Sequence, residues 1–241
     1  MANSYLIKFP TNCIQGQFVR RVKRFSVEVD YQNKRIWAHT NNTGAMFGLL
    51  RPGAPVLLSQ ANRPNRKLPY TLELIQSHGV WVGVNTLVPN RLLKQAWLNQ
   101  IMPELNGYDV FHSEVKMGNC RIDARLSGTH GTLWVEAKNV TLAENDIAYF
   151  PDAVTKRGQN HINKLIALSK SGIRVALFFL IQRQDVKCFE PADFIDPDYA
   201  VFFYQAMKLG IEIWPYMADI SEKGINIGKK LPVLPMNSNL F

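Results

Sequence analysis

The sequence predicts an α/β protein, α+β overall, in which a small β-barrel precedes a domain with a mixed central sheet. Short strands with frequent turn signals fill the first third of the chain. Strand and helix periodicities then alternate, which is typical of helices packed on a sheet. One strongly apolar run, Val175 to Ile181, has the length of a buried strand. We place the domain boundary at residue 84, which gives domains at 1–84 and 85–241.

The first third contains about five predicted strands. The segment FSVEVDY alternates apolar and polar residues, which is the period of a half-buried strand. The pair Asn33-Lys34 separates it from RIWAHT, and Pro52-Gly53 is the turn before the next apolar strand. KLPYTLELIQ and GVWVGV follow. This spacing predicts a closed or partly closed barrel of the OB type, although an SH3-like barrel gives much the same pattern.

The second domain begins with a predicted helix, VPNRLLKQAWLNQIM, for which Asn90 is the expected cap. The residues on its apolar face are Leu92, Leu93, Ala96, Trp97 and Ile101. A second helix follows a loop from Pro151 and stops at Gly172, and a third lies between Asp196, as its cap, and Gly210. RVALFFLIQ and IEIWPYMA are predicted strands, and the tail LPVLPMNSNLF is predicted to be loose.

The net charge of +9 is unevenly distributed. Residues 1–90 contain eleven Lys and Arg against three acidic residues, a net charge of +8. This concentration predicts a polyanionic partner, and we expect nucleic acid, with DNA favoured. A solubility charge without a partner is the alternative.

Two basic groups in this part are candidates for nucleic-acid binding. The first is Arg20, Arg21, Lys23 and Arg24. The second is Arg63, Arg66 and Lys67, and it ends in the aromatic residue Tyr70. On an OB-like barrel these residues can follow a phosphate backbone, with Tyr70 or Trp37 as a platform on which bases stack. A solvated basic face with the aromatic residues in the core is the alternative.

The composition excludes several classes of protein. No stretch approaches the ~20 apolar residues of a membrane span, and the first residues, MANSYLIKFP, lack the pattern of a signal peptide. Cys13, Cys120 and Cys188 lie far apart and are odd in number, which indicates reduced thiols. We therefore expect a cytoplasmic protein with no membrane partner and no small-molecule cofactor.

The segment RIDARLSGTHGTLWVEAK carries the candidate catalytic site. Glycines on either side of Thr129-His130 predict a hairpin whose register places Asp123 directly opposite Glu136. Lys138 lies two residues further along and on the same face. The predicted apolar face consists of Ile122, Ala124, Leu126, Val135 and Ala137.

Two carboxylates that face each other across a sheet repel, and a bound cation relieves this repulsion. Such an arrangement suits Mg²⁺ or Mn²⁺, which retain waters and accept phosphate oxygens. The ion lowers the pKa of a bound water, while Lys138 orients that water or neutralises the developing charge. The alternative is a solvated hairpin in which Asp123 and Glu136 are neutralised by nearby Arg and Lys.

The order Asp, a dozen residues, then Glu-x-Lys, with a helix and a strand after it, resembles the PD-(D/E)xK nuclease superfamily. The whole chain also resembles the sugar fermentation stimulation protein (SfsA) family of bacteria and archaea. The matching segments run in order along almost the whole chain, and they are FVRRVKRF, HTNNTGAMFGLLRPG, NRKLPYTLELI, WVGVNTLVPN, GNCRIDARL, VEAKNVTL, FPDAVTKRGQNHINKL, FFLIQRQDV and DPDYA.

The resemblance implies an N-terminal OB-like domain, a C-terminal nuclease-like domain, DNA binding and a link to the regulation of sugar (maltose) metabolism. Asp123, Glu136 and Lys138 match the catalytic positions of the superfamily, with the two carboxylates as metal ligands. Glu114 matches an upstream acidic position with the same roles. The chain departs from the family at Thr40, Ala45 and Ala137, where Cys, Ser and Val are usual, and it keeps every carboxylate and the lysine.

Two further segments are candidates for function. Arg157 and His161 lie at the predicted start of the helix after the Glu-x-Lys strand, where they can reach a metal site or a phosphate. A surface or capping histidine is the alternative for His161. The NNTG loop at residues 41–44 is interpreted as a turn that needs φ > 0, with a contact to the other domain or to nucleic acid as the alternative.

The leading hypothesis is a DNA-binding protein with a Mg²⁺- or Mn²⁺-dependent phosphodiesterase (nuclease) site. The first alternative is a non-enzymatic DNA-binding transcriptional regulator that retains the nuclease fold, although the sequence has no evident helix-turn-helix. The second alternative is an RNA-processing nuclease.

Overall fold

The computed structural model of the chain describes residues 5–61, 66–118 and 120–235. The strands in these ranges are Ile7–Lys8 (β1), Ile14–Val22 (β2), Ser26–Tyr31 (β3), Lys34–His39 (β4), Pro55–Gln60 (β5), Tyr70–Ser77 (β6), Val80–Gly83 (β7), Tyr108–Met117 (β8), Cys120–Gly128 (β9), Gly131–Val140 (β10), Leu142–Glu144 (β11), Ile147–Phe150 (β12), Arg174–Ile181 (β13), Cys188–Pro191 (β14), Glu212–Ser221 (β15) and Gly224–Lys230 (β16). The α-helices are Val88–Leu98 (α1), Lys156–Lys170 (α2) and Pro197–Lys208 (α3), and Pro103–Leu105 forms a 3-10 turn. In the described part of the chain, no helix is long and apolar enough to cross a membrane.

The N-terminal strands form the predicted barrel. Its sheet has the order β4-β3-β2-β5-β6-β7, and an additional pairing of β4 with β6 closes it around β2 to β6. The interior is apolar and includes Phe18, Val27, Val29, Val56 and Leu72. The predicted period-two pattern is thus correct for Val27 and Val29, since both side chains point into the closed barrel.

The C-terminal domain is built on a mixed seven-stranded sheet with the order β1-β16-β15-β13-β10-β9-β8. β13 runs parallel to both β10 and β15, and the other neighbours are antiparallel. One face packs on α1 through Leu92, Leu93 and Ala96. The opposite face packs on α2 and α3 through residues such as Ile162 and Phe203. The predicted α/β class with a mixed sheet is confirmed.

Both ends of the chain differ from the predictions. Ile7 and Lys8 pair with Ile225 and Gly224 of β16, so the segment before the barrel belongs to the C-terminal sheet. The prediction of a loose tail is wrong for residues 231–235, because Leu231 is buried and the Leu234 amide donates to the Phe189 carbonyl. Residues 236–241 lie outside the described ranges.

Helix α1 begins earlier than predicted, with Leu87 as its N-cap residue and no side-chain cap. Pro89 occupies the first turn, where its fixed φ favours helix initiation. The prediction that Asn90 caps the helix is therefore wrong, since Asn90 lies inside it. Ile101 was predicted on the buried face, but the helix ends at Leu98 and Ile101 is exposed.

Asp196 joins the first turns of α2 and α3. As predicted, it caps α3 by accepting a hydrogen bond from the Tyr199 amide at 3.0 Å. It also accepts from the Thr155 amide at 2.8 Å and from Gln159 Nε2 at 2.7 Å. Since Thr155 caps α2, this one buried carboxylate fixes where α2 begins relative to α3.

We expect Asp196→Ala to lower the free energy of unfolding by about 2 kcal/mol or more, because it removes a cap and leaves further buried donors without an acceptor. Denaturant titration followed by circular dichroism measures this loss. Asp198→Ala is the matched control, since its exposed carboxylate pairs only with Lys156, and we expect less than about 0.5 kcal/mol there. Equal losses in the two variants would contradict the role of Asp196.

The ion pair of Asp185 with Arg183 makes the stability of the fold depend on pH. Arg183 is buried and donates to Asp185 through Nε at 2.7 Å and through Nη2 at 2.6 Å. These hydrogen bonds hold the pKa of Asp185 below its ordinary value. A lowered folded-state pKa stabilises the fold above the unfolded-state pKa of about 3.9, and this stabilisation is lost as the pH falls through the folded-state pKa.

We therefore expect the free energy of unfolding to fall more steeply in the wild type than in Asp185→Asn between about pH 5 and pH 3. Urea unfolding at several pH values measures both slopes. Parallel slopes would show that Arg183 does not stabilise the ionised form of Asp185.

Candidate metal site in the interdomain cleft

The β9–β10 hairpin has the predicted register. Pairing runs from Gly131 with Gly128 to Val135 with Ala124 and ends there. Just beyond this pair, the Ala137 amide donates to Asp123 Oδ2 at 2.8 Å, so the Asp123 carboxylate accepts a main-chain hydrogen bond where the ladder stops.

The apolar face of this hairpin was predicted correctly with one exception. Ala124, Leu126, Leu133 and Val135 pack in the cluster that contains α1. Ile122 packs instead in the cluster beneath α2 and α3. Burial still alternates regularly along β9, with Ile122, Ala124 and Leu126 all buried, but Ile122 contacts a different core from the other two.

Glu136 is the most enclosed acidic group of the site, with 2% of its surface exposed. Its Oε1 accepts a hydrogen bond from Lys138 Nζ at 2.6 Å and a short one from His161 Nδ1. Burial opposes ionisation of the carboxyl, but the charge of Lys138 and these hydrogen bonds prevail and hold the pKa of Glu136 at about 2. Because an ionised carboxylate can only accept, Nδ1 of His161 carries the proton.

The pKa of Asp123 is shifted in the opposite direction. Burial, followed by the negative charge of Glu136, raises the pKa of Asp123. Asn90 Nδ2 donates to Asp123 Oδ1 at 2.9 Å and favours the ionised form, as do Lys138 and the Ala137 amide. Two carboxylates whose charges disfavour each other in a partly buried cleft form a site that favours a cation.

The chemistry of the cleft fits a hard divalent cation. Four buried side-chain polar atoms lack a hydrogen-bond partner in the described part of the chain, and Glu136 Oε2 is the one carboxylate oxygen among them. An unsatisfied buried acceptor costs about 1–3 kcal/mol, which a ligand can recover. The described residues contain no group of three or more His, Cys, Asp and Glu that could hold a metal. Two carboxylates, with waters and substrate oxygens as the other ligands, suit Mg²⁺ better than a metal held wholly by protein.

Glu114 lies outside this cleft. It is exposed, its φ is +53°, and its carboxylate pairs with Arg121 at 3.0 Å. It shares a separate depression of about 170 Å³ with Asp123 and Asn90. The structure thus brings Asp123, Glu136 and Lys138 together and leaves Glu114 on the far side of Asp123.

The metal-binding candidates open into the space between the two domains. Asp123, Glu136, Lys138 and His161 line a cleft of about 190 Å³. It adjoins a larger interdomain cleft of about 730 Å³, and Lys138 belongs to both. The other residues lining both clefts are Thr86, Ala137, Phe150, Thr155 and Arg157.

The NNTG loop forms the barrel side of the interdomain cleft. The interpretation as a turn with φ > 0 is wrong, because none of its four residues has a positive φ. Asn41 instead binds the C-terminal domain, since its Nδ2 donates to Asn85 Oδ1 at 2.6 Å and its Oδ1 accepts from the Thr86 amide at 3.0 Å. At Gly44, a Cβ atom would lie 2.4 Å from Asp152 Oδ2, so a larger residue there would displace that carboxylate.

The four residues of the first basic group differ in what their side chains contact. Arg21 donates to the carbonyls of Gly44 at 2.8 Å and Asn42 at 2.7 Å, so its guanidinium supports the NNTG loop. Arg20 pairs with Glu28 at 2.6 Å. Lys23 and Arg24 are exposed and have no ion-pair partner among the described residues, and Arg24 lines the interdomain cleft. These two are free to meet a phosphate backbone.

The second basic group is only partly described, because Arg63 lies outside the described residues. Arg66 Nη1 donates to Thr71 Oγ1 at 2.8 Å, and Lys67 is exposed. Tyr70 is half-buried and packs against the barrel core.

Arg157 and His161 occupy the first two turns of α2 but have different surroundings. His161 is buried and contacts Glu136 inside the metal cleft, so the alternative of a surface histidine does not hold. Arg157 is exposed and lines both clefts, where its guanidinium can meet a phosphate.

Sequence reasoning assigned Asn90 to a helix cap and found no role for Asp152. Pro89, which marks the first turn of α1, was the available signal that Asn90 lies inside the helix. Asp152 Oδ2 accepts from the Met46 amide at 3.0 Å and thereby fastens the barrel to the cleft, a long-range contact without a local sequence signal.

The fold and the site define a two-domain protein, in which an OB-type barrel precedes a mixed-sheet domain that carries Asp123 and a Glu-x-Lys motif beside a helix, the pattern that resembles PD-(D/E)xK nucleases. A family model described as "Sugar fermentation stimulation protein RE domain" matches residues 87–224. A second, described as "SfsA N-terminal OB domain", matches residues 19–84. The chain belongs to the sugar fermentation stimulation protein (SfsA) family.

Relatives at high identity support this assignment. A sugar fermentation stimulation protein homolog from Syntrophobacter fumaroxidans is 53% identical over 95% of this chain and 88% of its own length. One from Maridesulfovibrio salexigens is 50% identical over 95% of this chain and 97% of its own. The structure of Pyrococcus furiosus SfsA in complex with Ca²⁺ superposes with a TM-score of 0.89 at 27% identity, covering 96% of this chain and 100% of the other.

Proposed function

We propose that this protein binds DNA and hydrolyses phosphodiester bonds with Mg²⁺ or Mn²⁺. The observation that carries the proposal is the buried Glu136 carboxylate. Its Oε1 accepts from Lys138 and His161, its Oε2 is buried without a hydrogen-bond partner among the described residues, and Glu136 and Asp123 line the same cleft. A carboxylate that is kept ionised, with hydrogen bonds to only one of its two oxygens, is suited to bind a cation.

Asp123 and Glu136 hold the metal in this proposal, and Glu114 is left out because it lies outside their cleft. When bound, Mg²⁺ or Mn²⁺ supplies a water of lowered pKa and positive charge beside the phosphate. The Ca²⁺ complex of the Pyrococcus furiosus relative supports a site for hard, oxygen-binding cations in this family.

The remaining groups either attract the substrate or hold the two carboxylates in place. Lys138 lines both clefts and brings a positive charge close to where charge develops on the phosphate. His161 holds Glu136 in place, and Asn90 does the same for Asp123. Arg157 at the cleft mouth, with Lys23 and Arg24 on the barrel, attracts the nucleic-acid backbone.

The test is a cleavage assay on single- and double-stranded DNA and on RNA, with Mg²⁺, with Mn²⁺ or with EDTA. We expect DNA products with either metal and none with EDTA. An Asp123→Ala, Glu136→Ala double variant, purified in the same way, controls for a contaminating nuclease. Cleavage by this variant at the wild-type rate would sink the proposal, and preferred cleavage of RNA would favour an RNA-processing nuclease.

A non-enzymatic DNA-binding regulator is the second candidate, and the absence of a third acidic ligand among the described residues of the cleft favours it. This candidate predicts salt-sensitive DNA binding that needs no metal and no cleavage with any metal. Calorimetric titration of the protein with Mg²⁺ and Mn²⁺ separates the two candidates, because only a nuclease must bind the metal ion.

A further inference from the structure

An exposed aromatic pair lies on the barrel at the edge of the interdomain cleft. The ring of Phe25 stacks on that of His39, with centroids 5.8 Å apart and planes 16° apart, and 46% of the surface of Phe25 is exposed. Phe25 follows Arg24, which lines the cleft, and His39 lies two residues before Asn41, which lines it as well. The pair is therefore continuous with the cleft wall.

The fold brings Arg66 of the second basic group to this aromatic pair, beside Lys23 and Arg24 of the first. Thr71 of β6 pairs with His39 of β4, and Arg66 donates to the Thr71 hydroxyl at 2.8 Å. Burial and then the charge of Arg66 lower the pKa of His39, which keeps its ring neutral. Lys23 and Arg24 precede Phe25 directly and are exposed. An aromatic surface bordered by cations on both sides is complementary to a nucleic-acid strand.

The aromatic pair is held rigidly. The Thr40 amide donates to the Phe25 carbonyl at 3.0 Å. Arg21 Nη2 donates to the Arg24 carbonyl at 2.8 Å and to the Asn42 carbonyl at 2.7 Å, so it ties the turn before Phe25 to the NNTG loop. These hydrogen bonds fix the backbone that carries the exposed ring of Phe25. Because this backbone is already ordered, less entropy is lost when a base stacks on the ring.

We propose that the Phe25–His39 pair is a stacking platform for an unpaired nucleobase, and that the protein prefers nucleic acid with a single-stranded segment. The backbone of that strand passes Arg24 and enters the interdomain cleft toward Lys138. In a duplex the base faces are already covered by neighbouring bases, so a single strand gains from the platform and a duplex does not. This inference rests on the proposed nucleic-acid binding but not on cleavage.

The test compares Phe25→Ala with Phe194→Ala in the full chain. Phe194 is a matched control because 60% of its surface is exposed and its ring contacts an aromatic neighbour, Tyr149, but it lies beside the acidic residues Asp193 and Glu190. Fluorescence anisotropy with a labelled oligo-dT, an oligo-rU and a DNA duplex, all in EDTA at one salt concentration, gives each Kd. Circular dichroism verifies that both variants are folded.

We expect Phe25→Ala to weaken binding of oligo-dT by about 5- to 100-fold, in keeping with the loss of one stacked base, and to change duplex binding by less than about twofold. We expect Phe25→Trp to restore binding and Phe194→Ala to leave it unchanged. Oligo-dT binding at the wild-type level in Phe25→Ala, or equal losses on single strand and duplex, would overturn the platform. Equal effects on oligo-rU would mean that the platform reads any unpaired base.

The outcomes are separable from those of the cleavage assay because no metal is present. A selective loss in Phe25→Ala together with no cleavage by the wild type keeps the platform and removes the nuclease. Metal-dependent cleavage together with unchanged oligo-dT binding in Phe25→Ala keeps the nuclease and removes the platform.

Discussion

Glu136→Gln is expected to lower the rate of Mg²⁺- or Mn²⁺-dependent cleavage by at least about 10³-fold, which corresponds to roughly 4 kcal/mol of transition-state stabilisation. The substitution preserves the shape of the side chain but removes its negative charge and one acceptor oxygen. Calorimetry should show no metal binding, while DNA binding in EDTA should stay within about twofold of the wild type, because the basic barrel residues are unchanged.

The matched control is Glu114→Gln, a chemically identical change at an exposed carboxylate paired with Arg121. We expect metal affinity and cleavage to stay within about fivefold of the wild type, since an exposed ion pair contributes little. A loss as large as that of Glu136→Gln would place Glu114 among the metal ligands. Wild-type cleavage by Glu136→Gln would instead rule out the metal site at Asp123 and Glu136.

The hairpin that carries the site was predictable because the residues that determine its turn and register lie close together in the sequence. Glycines around Thr129 and His130 set the turn, and the strict period of two in a strand then fixes which residues face each other. The register followed from these two rules alone. The packing of Ile122 in the second core was not predictable, because it depends on how β9 lies between two cores that form from distant segments.

The surroundings of the site were harder to predict for the same reason. β1 has only two residues and pairs with β16, more than 200 residues away, so no local periodicity marks it. Asn is a residue type favoured at helix caps, yet Asn90 lies within α1 and donates to Asp123 on β9. In both cases a tertiary contact overrides the local preference.

Charge in the sequence predicts a polyanionic partner for the barrel but does not predict the role of each cation. Arg21 and Arg24 look equivalent within the segment FVRRVKRF. In the fold, the guanidinium of Arg21 is engaged by main-chain carbonyls, whereas Arg24 is exposed at the cleft. A guanidinium that donates to several carbonyls supports the loop, so the number of basic residues overestimates the number of phosphate contacts.

Lys138→Ala should separate metal binding from chemistry. Lys138 Nζ lies 2.6 Å from Glu136 Oε1, and its side chain is 14% exposed, so it acts from inside the cleft. We expect the rate of cleavage to fall by about 10²- to 10³-fold, because a positive charge placed near the developing charge is removed. Metal binding should be retained, since Asp123 and Glu136 remain. Single-turnover kinetics at saturating DNA and metal measures the chemical step.

The same variant should gain more thermal stability from Mg²⁺ than the wild type does. Without Lys138, the buried Glu136 carboxylate keeps only His161 as a partner, and a buried charge that loses its partner destabilises the fold. A bound cation compensates for that loss, so the shift of Tm with Mg²⁺ should be larger in Lys138→Ala. Lys156→Ala, which removes an exposed cation paired with Asp198 at the cleft rim, is the control. Loss of metal affinity in Lys138→Ala would mean that the lysine acts by holding Glu136 in place and not on the phosphate.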